Sequence, residues 1–194
     1  MLARPLRILA VCLGALAGPA PAAAQDEALF TEQDLIFMHH MIVHHEQALV
    51  MSELVRARSD RPEFHRFADY VFRAQAAEID LMQSLLRLGA ARGAEATMHE
   101  LTGDPPMAGM LSSSEMRALE ESSGAEFERQ WLEGMIFHHR GAIDMAEAQQ
   151  AHQLATKRRP YGLGVLVEDI IVEQRAEIAK MRDWLAEWGL AADR

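Results

Sequence analysis

The chain has 194 residues, with 19 Lys and Arg against 29 Asp and Glu, a net charge of −10, and a single cysteine. That length suits one domain with a substantial core. The acidic balance disfavours nucleic acid and anionic lipid as partners and attracts cations, and one cysteine excludes a disulfide framework and a thiolate metal cluster.

The first residues read as an export signal. Arg4 and Arg7 form a basic start, 8–16 is a short apolar run, and Ala22-Ala23-Ala24 before Gln25 fits a signal-peptidase site. The run is too short to span a bilayer, and Val11 stands before Cys12 where a lipoprotein signal wants a small residue. Residues 1–24 are therefore read as a signal peptide and 25–194 as one domain. Removing the signal takes away Cys12 and both of those arginines, which leaves 17 basic against 29 acidic residues, a net charge of −12. The expected location is periplasmic or extracellular, with no membrane contact after cleavage.

Thr31 with Asp34 has the form of an N-cap and its reciprocal acid, opening a helix over about 32–57. Its core stripe takes in Met38, Met41, Ile42, His45, Ala48, Leu49, Ser52 and Val55. Ser59-Asp60-Arg61-Pro62 is a turn with Pro62 placed for the first helical position. The second helix runs to about 88, where Gly89 suits a C′ position. Residues 90–111 read as a connection rich in Gly, Ala and Pro that also holds Met98, His99, Met107 and Met110. Ser112 with Glu115, and Ser123 with Glu126, are capping-box patterns opening a short helix to 121 and a third long helix to about 155. A basic turn over 157–160 leads to a fourth long helix from about 161 to 188, closed by Gly189. Alternating strand patterns are absent.

The organising feature is a repeat. Met41-Ile42-Val43-His44-His45 returns as Met135-Ile136-Phe137-His138-His139, and Ala48, Met51 and Glu53 match Ala142, Met145 and Glu147 in step. Gln75, Glu78, Ile79 and Met82 of the second helix match Gln174, Glu177, Ile178 and Met181 of the fourth. The repeated unit, about 31–89 and 112–189, is a helical hairpin. Two hairpins joined by a long crossover predict an all-α, ferritin-like four-helix bundle.

On a helix, Met41, His44, His45, Ala48 and Met51 fall within an arc of roughly 120°, so each copy offers two imidazoles and two thioethers on one face. A single His pair is commonly a hydrogen-bonded structural feature, and Met at helical spacing is commonly core filler. The same constellation twice in the same register favours a metal site. Glu78 and Glu177 sit on otherwise apolar stripes and need partners. The His residues of the facing helices are the natural ones, with each Glu either orienting an imidazole or ligating directly. None of the His residues has Glu three positions before it, and no His-Glu-x-x-His occurs, which disfavours di-iron and zincin chemistry. Thioether with imidazole suits copper, as Cu(I) or Cu(II), better than zinc. His40 lies on the edge of the core arc and could add a peripheral ligand. His39 points away, and His65 and His152 are expected on the surface.

The runs Met107-Ala-Gly-Met110, Leu119, Gly124, Phe127, Met135 to Ala146 and Gln174 to Leu185 resemble domain-of-unknown-function family 305. The resemblance covers essentially the whole mature chain. It implies a ferritin-like bundle, usually exported, with some members acting as periplasmic copper-binding proteins linked to copper tolerance. Carried over, it implies Met41, His44, His45, Met51, Met135, His138, His139 and Met145 as candidate ligands. Met107 and Met110 could add a softer outer site; apart from the resemblance, Met82 and Met181, on the faces of Glu78 and Glu177, are possible extra ligands. The family often has Pro before the His pair, where Val43 and Phe137 stand here. The expected function is copper sequestration or trafficking, with metal ions and another copper-handling protein as partners and no catalytic residues. The rival readings are a metal-dependent oxidase-like bundle and a structural module in which His and Glu are only buried polar pairs.

Overall fold

The computed structural model describes residues 28–90 and 107–190. The segment read as a signal peptide, with Cys12, and Met98 and His99 of the crossover lie outside the described residues. All regular structure among the described residues is helical: α1 Glu32–Arg58, α2 Pro62–Ala90, α3 Ser113–Glu121, α4 Gly124–Thr156 and α5 Tyr161–Glu187. α1 pairs with α2 and α4 with α5 as two hairpins, and α1 packs against α4. Asp34 meets Gln149, His44 meets His138 and the Met51 carbonyl meets Trp131, so α1 and α4 run antiparallel. This is the ferritin-like four-helix bundle of repeated hairpins that the sequence predicts.

Local chemistry sets the helix ends. The Thr31 hydroxyl accepts from Asp34 N–H while the Asp34 carboxylate accepts from Thr31 N–H, and Ser112 and Glu115 do the same for α3. Pro62 opens α2, where its missing N–H costs nothing. Gly189, at φ +67, closes α5 with Leu190 N–H on the Leu185 carbonyl.

Several local expectations need correction. Ser123 makes no side-chain cap bond, and the Glu126 carboxylate, the reciprocal half of the expected box, is engaged by Arg129 and Gln130 instead. α2 runs through Gly89, which is buried inside the helix, at a cost of only about 1 kcal/mol relative to Ala. Ile42 and Leu49 are half-buried rather than core. His39 is half-buried rather than turned away. His65 and His152 are also half-buried, bonded to the Ser59 carbonyl at 2.6 Å and the Thr31 hydroxyl at 3.1 Å.

The core has two apolar halves. One gathers Phe64, Phe127, Trp131, Trp184, Met51, Met135 and Met181; the other gathers Phe30, Leu35, Met38, Met41, Met82, Leu163 and Ile170. Beside the first half, the buried Glu128 carboxylate accepts from Ser59 at 2.7 Å and Arg61 at 2.9 Å, which ties α4 to the α1–α2 turn. The layer between the two halves is polar and holds both His pairs.

Candidate metal centre

His44, His45, His138 and His139 are all fully buried. The helical spacing that puts them on one face aims His44 and His138 at the partner motif and His45 and His139 at the second helix of their own hairpins. His44 and His138 lie ring against ring, with centroids 3.8 Å apart. Each imidazole has one nitrogen occupied. His45 Nε2–H donates to Glu78 at 2.8 Å and His139 Nε2–H to Glu177 at 2.6 Å. His138 Nε2–H donates to the His44 carbonyl and His44 Nε2–H to the Ala108 carbonyl, both at 3.0 Å. All four acceptors are oxygens without a proton to give, so the proton sits on Nε2 in each case.

The other nitrogen is left open. Nδ1 of His44, His45, His138 and His139 is buried with no hydrogen-bond partner. A buried polar atom left unpaired costs about 1–3 kcal/mol, and native cores rarely leave several together. Burial, followed by the His45 charge, lowers the His44 pKa to about 3. Burial, followed by the His44 charge, holds His138 well below its ordinary value. Both rings are therefore neutral, with a lone pair on Nδ1.

The thioethers flank this layer in an arrangement that the linear motif conceals. Met51 lies in the same core half as Met135, beside Gly134, whereas Met41 shares the other half with Met145. Antiparallel packing thus pairs the leading Met of one motif with the trailing Met of the other. Met41, Met51 and Met135 are fully buried and Met145 is half-buried. Met82 joins the Met41 side and Met181 the Met51 side, both fully buried. His40 is half-buried at the edge, and Met107 and Met110 are half-buried at the two ends of a turn.

Glu78 and Glu177 meet the His pairs, as the apolar stripes predict. Glu173 stands near both: partial burial, then the charges of Glu78, Glu177 and Asp169, hold its carboxyl above the usual range. Among the described residues, no three His, Cys, Asp or Glu side chains converge as a ready-made metal cluster, the four histidines of the two motifs included. The layer and its flanks do supply imidazole Nδ1 atoms without partners and buried thioethers, donor types that suit a soft ion such as cuprous copper. Sequence reasoning saw Gln75 and Gln174 as repeat positions but gave them no role; both are buried with all their amide atoms unpartnered. It also missed the Ala108 carbonyl as a partner for His44.

Among the described residues no helix is long and apolar enough to cross a membrane. No curated protein sequence matches the chain. Solved structures do. A DUF305 protein from Streptomyces coelicolor is 33% identical with a TM-score of 0.67, covering 81% of this chain and 92% of the other. A DUF305 fragment from Deinococcus radiodurans is 29% identical with a TM-score of 0.66, covering 81% of this chain and 97% of its own. CopM in a Cu(I)-bound form is 28% identical with a TM-score of 0.60, covering 82% of this chain and 98% of its own. CopM is also known in Ag-bound and Cu(II)-bound forms. The model of the domain of unknown function DUF305 matches residues 34–185, from α1 to the end of α5, and the chain belongs to that family.

Proposed function

We propose that this protein is an exported copper-binding protein that sequesters or passes on the ion rather than turning over a substrate. The observation that carries this reading is the set of buried Nδ1 atoms on His44, His45, His138 and His139, all without a partner. The ligands would be those nitrogens with the thioethers of Met41, Met145, Met51 and Met135. Glu78 and Glu177 would act from behind, holding the Nε2 protons of His45 and His139 so that Nδ1 stays free to coordinate. The relation to CopM, seen in Cu(I)-, Cu(II)- and Ag-bound forms, supports a copper or copper-like cargo. The signal-like N-terminus and the Cys-free mature chain suit work outside the reducing cytosol. Copper reaching this protein would come from, or go to, another copper-handling protein.

The test is an anaerobic titration of the mature chain with Cu(I), Ag(I), Cu(II) and Zn(II) in separate arms, following bound metal and thermal stability. A ligand at about a thousand times its Kd stabilises the native state by about 4 kcal/mol. Cu(I) and Ag(I) are expected to do so, and replacing the four histidines with Asn should abolish the gain. Unchanged stability with every ion would sink the reading and leave a bundle with buried polar pairs.

A further inference from the structure

The two motifs differ two residues after the second His. Gln47 stands there in α1 and Gly141 in α4. Both touch the strap formed by residues 107–111, where the crossover returns to the bundle. Gln47 clasps the strap from one side: its amide donates to the Leu111 carbonyl at 3.0 Å and accepts from Leu111 N–H at 2.8 Å. Gly141 is the seat on the other. A Cβ at Gly141 would lie 2.1 Å from the Ala108 oxygen and 2.5 Å from the Gly109 Cα. Gly109 itself, at φ +80, has no room for a side chain, since its Cβ would lie 2.6 Å from the His138 carbonyl oxygen.

This asymmetry decides what His44 meets. His138 gives its Nε2 proton to the carbonyl of His44. The symmetric acceptor for His44 would be the carbonyl of His138, but Gly109 lies against that group and the Ala108 carbonyl takes the proton instead. We propose that Gln47 and Gly141 are positioning residues, which seat the 107–111 strap so that its Ala108 carbonyl holds the His44 proton on Nε2 and leaves Nδ1 to face the ion. The last clause rests on the copper reading; the tautomer does not.

The primary readout is therefore metal-free. Long-range proton–nitrogen NMR of the imidazoles in the apo protein should show His44 as the Nε2–H tautomer. Gly141→Ala should evict Ala108 and turn His44 into a mixed or Nδ1–H species, with His139 unmoved. Gln47→Ala, a substitution that favours the helix, should shift His44 the same way and covers the case in which Gly141→Ala fails to fold. Gly134→Ala is the control: its Cβ would meet only side-chain ends, Leu111 at 3.1 Å and the Met51 methyl at 3.6 Å, with no strap backbone in reach, and the His44 signal should stay. Cu(I) affinity, from competition with a chelator, should fall about 10- to 100-fold in the shifted variants. A His44 tautomer unchanged in every folded variant overturns the proposal, even if melting temperatures drop. Wild-type protein that binds no Cu(I) would overturn the copper reading alone, because the tautomer experiment still decides the strap.

Discussion

The His44 and His138 rings face each other at 3.8 Å, with their planes tilted by 37° and neither ring reaching solvent. Two imidazoles so placed cannot both be charged without large repulsion in a low-dielectric layer. Burial is the main cause that keeps both neutral, with the neighbouring imidazoles adding to it. In the unfolded chain both titrate near 6.5. Above that pH both states hold neutral rings, and the pair adds no pH dependence. Below it the unfolded state takes up protons that the folded state refuses. Stability of the apo protein should therefore fall with pH by about 1.4 kcal/mol per unit for each ring. For His44 the loss continues until pH approaches about 3. Urea unfolding of wild type and of the His44→Asn, His138→Asn double variant, between about pH 7.5 and 4.5, checks this. Equal slopes in the two proteins would contradict it.

Glu177 is 7% exposed in its side chain and Glu78 14%, and each takes an imidazole proton. Glu177→Gln keeps an acceptor oxygen but removes the charge that makes the ring a better donor to an ion. Cu(I) affinity should fall about 10- to 100-fold with unchanged helix content. Glu78→Gln should cost less, because water reaches that pair more easily. A Glu177→Gln protein that holds Cu(I) within a factor of about two of wild type would show that the carboxylate does not tune the site.

Phe64 sits at the centre of the aromatic end. Its ring centroid lies 4.8 Å from Trp131, 5.8 Å from Trp188 and 6.2 Å from Trp184. Phe64→Ala should lower stability by about 3–5 kcal/mol in denaturant unfolding, through lost burial and a cavity the stiff rings cannot fill. The His45–Glu78 and His139–Glu177 pairs lie in a different layer, so their imidazole NMR signals should not move in the folded variant.

Gln174 is 2% exposed, and both ends of its amide lack a partner. Removing an unpaired buried amide relieves a desolvation cost of about 1–3 kcal/mol. Gln174→Leu should therefore raise apo stability by about 1 kcal/mol or more. A lower melting temperature would mean that the amide has a partner in solution, with bound water the first candidate.

The repeat made the architecture legible. His44 and His138 share a register, and capping pairs such as Thr31 with Asp34 mark helix starts through local chemistry that needs no tertiary context. The site was legible as a set of residue types on a face. Its pairing was not, because linear spacing places Met41 with Met51, while antiparallel packing places Met51 with Met135. Nor could spacing reveal that Ala108 would give His44 its acceptor, since that depends on the path of the crossover. Ser123 shows the same limit on a smaller scale. Its capping pattern was present, but neither half of the box forms: Ser123 makes no side-chain cap bond and Glu126 bonds Arg129 and Gln130.

All three tryptophans of the chain, Trp131, Trp184 and Trp188, pack around Phe64 in one half of the core. Trp131 also donates its indole N–H to the Met51 carbonyl at 2.8 Å. Met51 and Met135 share that half, whereas Met41 and Met145 lie in the other. Intrinsic fluorescence is thus a one-sided gauge. An ion drawn to Met51 and Met135 would quench or shift the emission strongly, and an ion at Met41 and Met145 would leave it bright. A single emission titration set against total bound metal would report which end of the bundle fills first.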